Sequence, residues 1–242
     1  MKILLFVVFI FLFVKGNFCS GQDSIGRMVG QDISVEDIPK DLKLTDAVID
    51  GLRKMFNDTI GKQKSFDTQY KIVLIATKVT NESPKKYQFF DDIIQWEVKR
   101  SQEGTKKIIA VSPDARVLAI NTLAESKDIT YQTTFLSVIE RDDNVDTRIA
   151  AARVLPRYAR TDLIINKLIE LLKTKYGANR EKFNEADQTR YDDDRVAEAI
   201  IDTLGEYGDS RAFSALFQIA MNPQAHREAT VKAAWTAIGK LK

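Results

Sequence analysis

The sequence predicts an all-α protein whose second half is an α-solenoid of antiparallel helix hairpins. Three observations predict it. A helix-period apolar pattern recurs at near-constant spacing from residue 112 onward. Each of the first three recurrences is followed by an Asp and a second apolar helix. The chain of 242 residues holds only 11 Gly and 5 Pro, so its connections are few or short.

The first residues stand apart from the fold. Lys2 precedes an uninterrupted apolar run from Ile3 to Val14, and Lys15 and small residues follow. A membrane-spanning helix needs about 20 apolar residues, so this shorter run fits the apolar region of a secretory signal. We expect residues 1–21 to be that signal, with cleavage after Gly16, Ser20 or Gly21, and the product to be exported to the periplasm. An uncleaved anchor is the alternative. The single cysteine, Cys19, sits just after the run, where bacterial lipoproteins carry their lipidated Cys. Gly16, Asn17 and Phe18 depart from the Leu and small residue that usually precede such a site. Membrane contact is therefore expected only through a lipidated Cys19 or an uncleaved signal. One thiol forms no intramolecular disulfide, so packing alone must hold the mature chain. Removing residues 1–21 takes away Lys2 and Lys15 and leaves 34 basic against 34 acidic residues. Nucleic-acid binders carry a basic excess, so that class of partner is disfavoured.

Residues 22–44 show no sustained periodicity and read as a tether. From 45 to 111 three helices are expected. Val48, Ile49, Leu52, Met55 and Phe56 share one helical face; Phe66, Tyr70, Val73 and Thr77 share a second, with a stop at Pro84; Phe89, Phe90, Ile93, Ile94 and Trp96 supply a third. The run Ile72 to Ala76 also suits a buried strand, a reading its helical flanks oppose.

Residues 112–242 contain the repeats. Segments beginning at Asp114, Asp146, Val196 and Thr230 align on Leu123, Leu155, Leu204 and Ile238. The first two anchors are 32 residues apart and the last two 34, whereas 49 separate the middle pair. The excess is a polar insert, residues 176–192. Asp128, Asp162 and Asp209 open the second helices, where a carboxylate accepts from free backbone N–H groups and opposes the helix dipole. Ser112, Pro113 and Asp114 form a similar start, with a Ser cap and Pro at the first helical position. The second helices carry Phe135 and Ile139; Ile165, Leu168 and Leu172; and Phe213, Leu216, Phe217 and Ala220. Each hairpin depends on its neighbours to cover these faces.

Arg116 and Arg148 stand seven residues before Leu123 and Leu155, and Ala119, Ala151 and Ala234 occupy a small-residue position that Ile200 breaks. Leu204-Gly205 is followed by Gly208-Asp209. On these residues the segment from 112 to the end resembles HEAT repeats, in the short form named after phycobilisome lyases. The resemblance implies a helical stack used as a binding surface, with a lyase-like carrier of a small ligand as the enzyme-like alternative. At the Arg position the third unit has Ala197 and the fourth Val231, which interrupts an Arg ladder.

Residues with chemical potential are few. His226, the one histidine, has no Cys partner for a zinc site and no nucleophile turn for a triad, and its helix-starting corner suits a solvent-facing residue. Asp192, Asp193 and Asp194 lack the spacing of a calcium loop and read as acids at a helix start. Neither a catalytic residue nor a metal or cofactor is expected. Arg153, Arg157 and Arg160 fall at i, i+4 and i+7 of one helix as a basic stripe, and the insert sets Phe183 and Tyr191 among charges. Aromatic and Arg side chains dominate binding energy at many interfaces. These five residues are therefore the expected contact points for a protein partner in the cell envelope, and the chain is expected to be a non-enzymatic scaffold.

Overall fold

The computed structural model describes residues 46–62, 65–78, 84–102, 110–177 and 181–242. The expected signal (1–21), the tether (22–44) and Cys19 lie outside the described residues. Within them the protein is all-α: ten helices and no strand. None of these helices is long and apolar enough to cross a membrane. The chain divides into two compact units, 1–89 and 90–242.

The first unit contains α1 (Asp46–Thr59), α2 (Phe66–Thr77) and the start of α3 (Pro84–Gln102). Helix α1 buries Ile49, Leu52 and Phe56, and the Phe56 ring meets Phe89 edge-on at 5.9 Å between centroids. The run Ile72–Ala76 is helical, inside α2. The buried side of α2 is Gln69, Ile72, Val73 and Ala76, rotated from the expected line through Phe66, Tyr70 and Thr77. A hydrogen bond explains the rotation. The last carbonyls of α1 have no intrahelical donor, and Thr59 O accepts from Gln69 Nε2 at 3.3 Å and from Ser65 Oγ at 2.9 Å. The amide of Gln69 is thereby drawn into the core.

The second unit begins within α3, which buries Phe90, Ile93, Ile94 and Val98. Trp96, expected on this face, is exposed. It lies about 200° around the helix from Ile94, on the far side. Glu97 Oε1 accepts from the backbone N–H groups of Ala110 (2.7 Å) and Val111 (3.0 Å), fixing the chain as it enters the next helix.

Seven helices follow: α4 (Pro113–Leu123), α5 (Gln132–Arg141), α6 (Val145–Val154), α7 (Asp162–Leu171), α8 (Gln188–Tyr207), α9 (Phe213–Ala220) and α10 (Glu228–Ile238). They form two layers. In one, α4 packs on α6, α6 on α8 and α8 on α10; in the other, α5 packs on α7, and α7 on the short 3₁₀ turn Ser210–Ala212 that leads into α9. The successive helices α5 and α6, and α9 and α10, pack on each other and join the layers. Small residues permit the close approach: Ala119, Ala151 and Ala234 are fully buried, and so is Ile200 at the equivalent place in α8. The anchors Leu123, Leu155 and Leu204 are also fully buried, whereas Ile238 is half-buried.

Caps follow the local sequence. Ser112 Oγ accepts from Ala115 N–H with Pro113 at the first helical position, Asn144 accepts from Thr147 N–H, and Asp128 and Asp209 cap the 3₁₀ turns before α5 and α9. Asp162 does not cap its helix. Thr161 does so, through Oγ1 to Ile164 N–H, and Asp162 is the first helical residue.

Pro156 shapes the end of α6. With no N–H of its own it cannot continue the helical bonds, and α6 passes into a 3₁₀ turn, Leu155–Arg157. Side chains of α8 meet the carbonyls there: Thr203 Oγ1 donates to Ala152 O (2.9 Å) and the Tyr207 hydroxyl to Leu155 O (2.5 Å). Earlier in the chain, the Tyr158 hydroxyl reaches Leu123 O (3.5 Å). Tyr158 and Tyr207 each stand three residues after a repeat Leu, and each bonds the carbonyl of the preceding repeat Leu. Burial pushes both phenols up, Tyr158 to about 12.

Gly205 lies where α8 and α10 pack closely. A Cβ there would stand 2.9 Å from Ala237 Cβ and 3.0 Å from its Cα. Gly208 closes α8 in the left-handed region (φ +64°), and its carbonyl accepts from Lys242 N–H. Gly205→Val should push α10 away from α8 and cost about 1–3 kcal/mol in urea unfolding. Gly239→Ala, whose Cβ meets nothing nearer than 3.5 Å, should be close to neutral. Equal midpoints for the two variants would contradict this packing.

Candidate interaction surface

The polar residues that the sequence singles out are, for the most part, tied into the corners where successive helices meet. At the first corner the buried Arg116 guanidinium of α4 donates to the carboxylate of Asp142, which follows α5. Asp142 Oδ1 also accepts from Asn144 N–H at 2.8 Å. Burial pushes the Asp142 carboxyl up from its ordinary value, while Arg116 pulls it down. At the second corner Arg148 of α6 donates to the Tyr176 hydroxyl (3.0 Å) and to Asp193 of α8 (3.5 Å). The Tyr176 hydroxyl in turn donates to Ile139 O at 2.8 Å.

The third corner is built around His226. It is buried, contrary to the solvent-facing place expected for it. Its Nδ1 lies 3.1 Å from Asp194 Oδ1 and its Nε2 3.2 Å from Gly177 O. A carbonyl only accepts, so Nε2 carries a proton and donates. Asp194 Oδ2 accepts from Arg227 N–H (2.6 Å) and from Thr230 Oγ1 (3.3 Å). The imidazole thus joins the end of α7, the body of α8 and the approach to α10. Gly177 is required here, because a Cβ would come within 2.3 Å of Leu172 O.

Asp192, Asp193 and Asp194 are not at a helix start. Helix α8 begins four residues earlier, at Gln188, capped by Asp187 through Arg190 N–H (3.2 Å). The three carboxylates point to different partners: Asp192 to Gln188 and Arg195, Asp193 to Arg148, and Asp194 to His226. Among the described residues no three His, Cys, Asp or Glu side chains gather as a metal site.

The insert is shorter than residues 176–192. Tyr176 is fully buried at the end of a π turn, Leu172–Tyr176, that extends α7, and residues from 188 onward are helical. What lies between leans on the α9–α10 corner. Phe183, half-buried, donates its N–H to Gln224 O at 2.6 Å. Arg190 donates to Glu181 O and Ala225 O, and the Arg227 guanidinium sits 4.2 Å over the half-buried Tyr191 ring.

Arg153, Arg157 and Arg160 do not form a stripe on one helix. Only Arg153 is in α6; Arg157 lies in the 3₁₀ turn that Pro156 imposes, and Arg160 in the link to α7. Arg157 Nη1 donates to Asn121 O (3.1 Å), and Arg160 lies 3.5 Å from Asp209. The structure does not bring these arginines to Phe183 and Tyr191. Arg157 and Arg160 meet Asn121 and Asp209, whereas Phe183 and Tyr191 meet Gln224 and Arg227.

A further surface lies where the sequence predicts core. Phe213 and Phe217 of α9, expected to be buried, are 48% and 39% exposed. Apolar character gave no warning, because it does not tell which face a neighbour covers. The His226–Asp194 pair left no signal either, because its members stand 32 residues apart and the corner pairs share no common interval. No family model, curated protein or solved structure matches this chain.

Asp209 offers a pH test of the corner chemistry. Its hydrogen bond from Arg211 holds the carboxyl at about 2, below the ordinary 3.8, with Arg160 adding to the pull. A depressed carboxylate contributes stability above its unfolded value and loses it as pH falls through the folded value. Wild type should therefore lose its advantage over Asp209→Asn between about pH 4 and pH 2. Urea unfolding at stepped pH measures this; a constant difference over that range would contradict it.

Proposed function

We propose that this chain is a non-enzymatic protein-interaction scaffold: an α-solenoid of HEAT-like hairpins, exported to the bacterial envelope and acting in the periplasm. The observation that carries the solenoid is the repeated bond from Tyr158 to Leu123 O and from Tyr207 to Leu155 O, the same register one hairpin on. Equivalent bonds between successive hairpins are what a stack built by one repeated step produces. Binding is favoured over catalysis because the groups best suited to acid–base chemistry, His226, Asp194 and Asp142, are buried and engaged in joining helices. Export rests on the apolar run Ile3–Val14. A lipoprotein anchored through Cys19 would present the same repeats at a membrane face, and a small-ligand carrier is the alternative from another class.

The partner surface proposed for the scaffold includes Phe183 and Tyr191, with Arg153, Arg157 and Arg160 as a separate second patch. Affinity recovery of the native protein from the cell envelope tests this. Wild type should bring down one protein in stoichiometric amount, and Phe183→Ser with Tyr191→Ser should reduce that recovery about 30-fold, the loss of one hot spot of ~2 kcal/mol. Replacing the three arginines by Ser measures the second patch. A bound chromophore or metabolite in place of a protein would contradict the scaffold. Unchanged recovery with both variants would remove these residues from the binding surface.

A further inference from the structure

We propose that the His226 corner is a proton-dependent clasp, closed by an imidazolium held between Asp194 and Gly177 O and opened when rising pH removes its proton. Neither side chain of the pair reaches solvent, so each polar atom depends on its protein neighbours. Their donors and acceptors decide the protonation state. Gly177 O lies 3.2 Å from Nε2 and only accepts, so the one ring proton of a neutral histidine belongs on Nε2. Nδ1 would then present a bare lone pair to Asp194 Oδ1 at 3.1 Å. An ionised carboxylate also only accepts. Two acceptors form no hydrogen bond, and away from water their repulsion is poorly screened. A second ring proton, on Nδ1, turns the same contact into a charge-assisted hydrogen bond. Asp194 suits the charged partner, because its Oδ2 takes the Arg227 N–H at 2.6 Å.

The other polar groups around the pair have partners of their own. On α8, Glu198 accepts from Arg227 Nη1 and Thr230 Oγ1, and Asp193 pairs with Arg148 of α6. Arg190, near the start of α8, donates to Glu181 O and Ala225 O. From the π turn, Tyr176 donates to Ile139 O and Lys175 to Glu140 O. Helix α10 brings Thr230 to Asp194, and α9 brings the apolar Ile219 against Gly177. The contact between ring and carboxylate is therefore made by the proton on Nδ1.

The clasp holds more than itself. It joins the π turn that extends α7 to α8, and Asp194 carries the tie onward to the approach to α10. Residues beside His226 also support the segment with Phe183 and Tyr191. Gln224 O accepts from Phe183 N–H, Ala225 O from Arg190, and the Arg227 guanidinium covers the Tyr191 ring. Opening the clasp loosens that support, so a partner bound there is released as pH rises. This consequence rests on the reading of Phe183 and Tyr191 as contact residues; the clasp itself does not.

Asp194→Asn separates the two. Its carboxamide keeps an oxygen for the Arg227 N–H and offers an N–H to a neutral Nδ1, so it closes the corner without the extra proton. An unfolded chain releases its histidine proton as pH passes about 6.5, whereas the closed clasp keeps it. Stability from the clasp is thus complete below that pH and lost above it. Between about pH 6.5 and 9, the wild-type unfolding constant in urea should rise by up to tenfold per pH unit relative to that of Asp194→Asn. If the Asn variant does not fold, nitrogen NMR of wild type labelled at its single histidine decides. Both ring nitrogens should carry protons near neutral pH, and Nδ1 should lose its proton over the pH range in which the Arg227 amide loses protection from exchange. A bare Nδ1 near neutral pH, or parallel pH profiles for wild type and Asp194→Asn, would overturn the proposal.

Discussion

The second unit depends on charge held inside it. Arg116 is almost fully buried, and a guanidinium cannot shed its proton to escape the cost of leaving water. It is accommodated because Asp142 stands at the next corner to receive it. Arg148, in the same register of α6, meets the Tyr176 hydroxyl and Asp193. At the third corner the arrangement is inverted: an acid, Asp194, lies on α8, and its partners, the His226 ring and the backbone N–H of Arg227, come from the corner. Each interaction ties together segments from different helices: Arg116–Asp142 joins α4 to the end of α5, Arg148–Asp193 joins α6 to α8, and His226–Asp194 joins α8 to the approach to α10.

At the other end of the hairpins the same requirement is met without charge. Helix ends leave carbonyls unpaired, and Pro156 shortens α6 further. Tyr158, Thr203 and Tyr207 supply hydroxyl donors from the following hairpin. Between the two ends alanines and Gly205 let the helices approach closely, and the buried leucines fill the interior. Apolar packing provides the driving force; the polar ties fix which hairpin face meets which, and in what register.

Much of this was legible in the sequence. The leucine anchors, the Ser112 cap and the helical content follow from spacing and local chemistry, which short windows contain. Misplaced residues depended on something distant. His226 looks exposed until Asp194, a full period away, comes beneath it. Gln69 looks polar and outward until Thr59 O needs a donor. The Arg153–Arg160 stripe assumed a helix that Pro156 ends. Phe213 and Phe217 have the pattern of core residues, but a pattern records apolarity and not the presence of a neighbour. For the proposed contact residues the lesson is similar: Phe183 and Tyr191 are partly engaged with the α9–α10 corner, and the arginines lie at the other end of the hairpin.

A double-mutant cycle on Arg116 and Asp142 tests most directly whether interhelical charge pairs hold the hairpins together. Arg116→Met leaves a buried carboxylate, and Asp142→Asn leaves a buried guanidinium while keeping an acceptor for Asn144 N–H. Each single change should cost about 3–5 kcal/mol in urea unfolding, because each strands one charge. The double variant strands none and should be no less stable than the weaker single, giving a large coupling. Silent single variants, or losses that add, would show that the pair does not carry the contact between α4 and the link that follows α5.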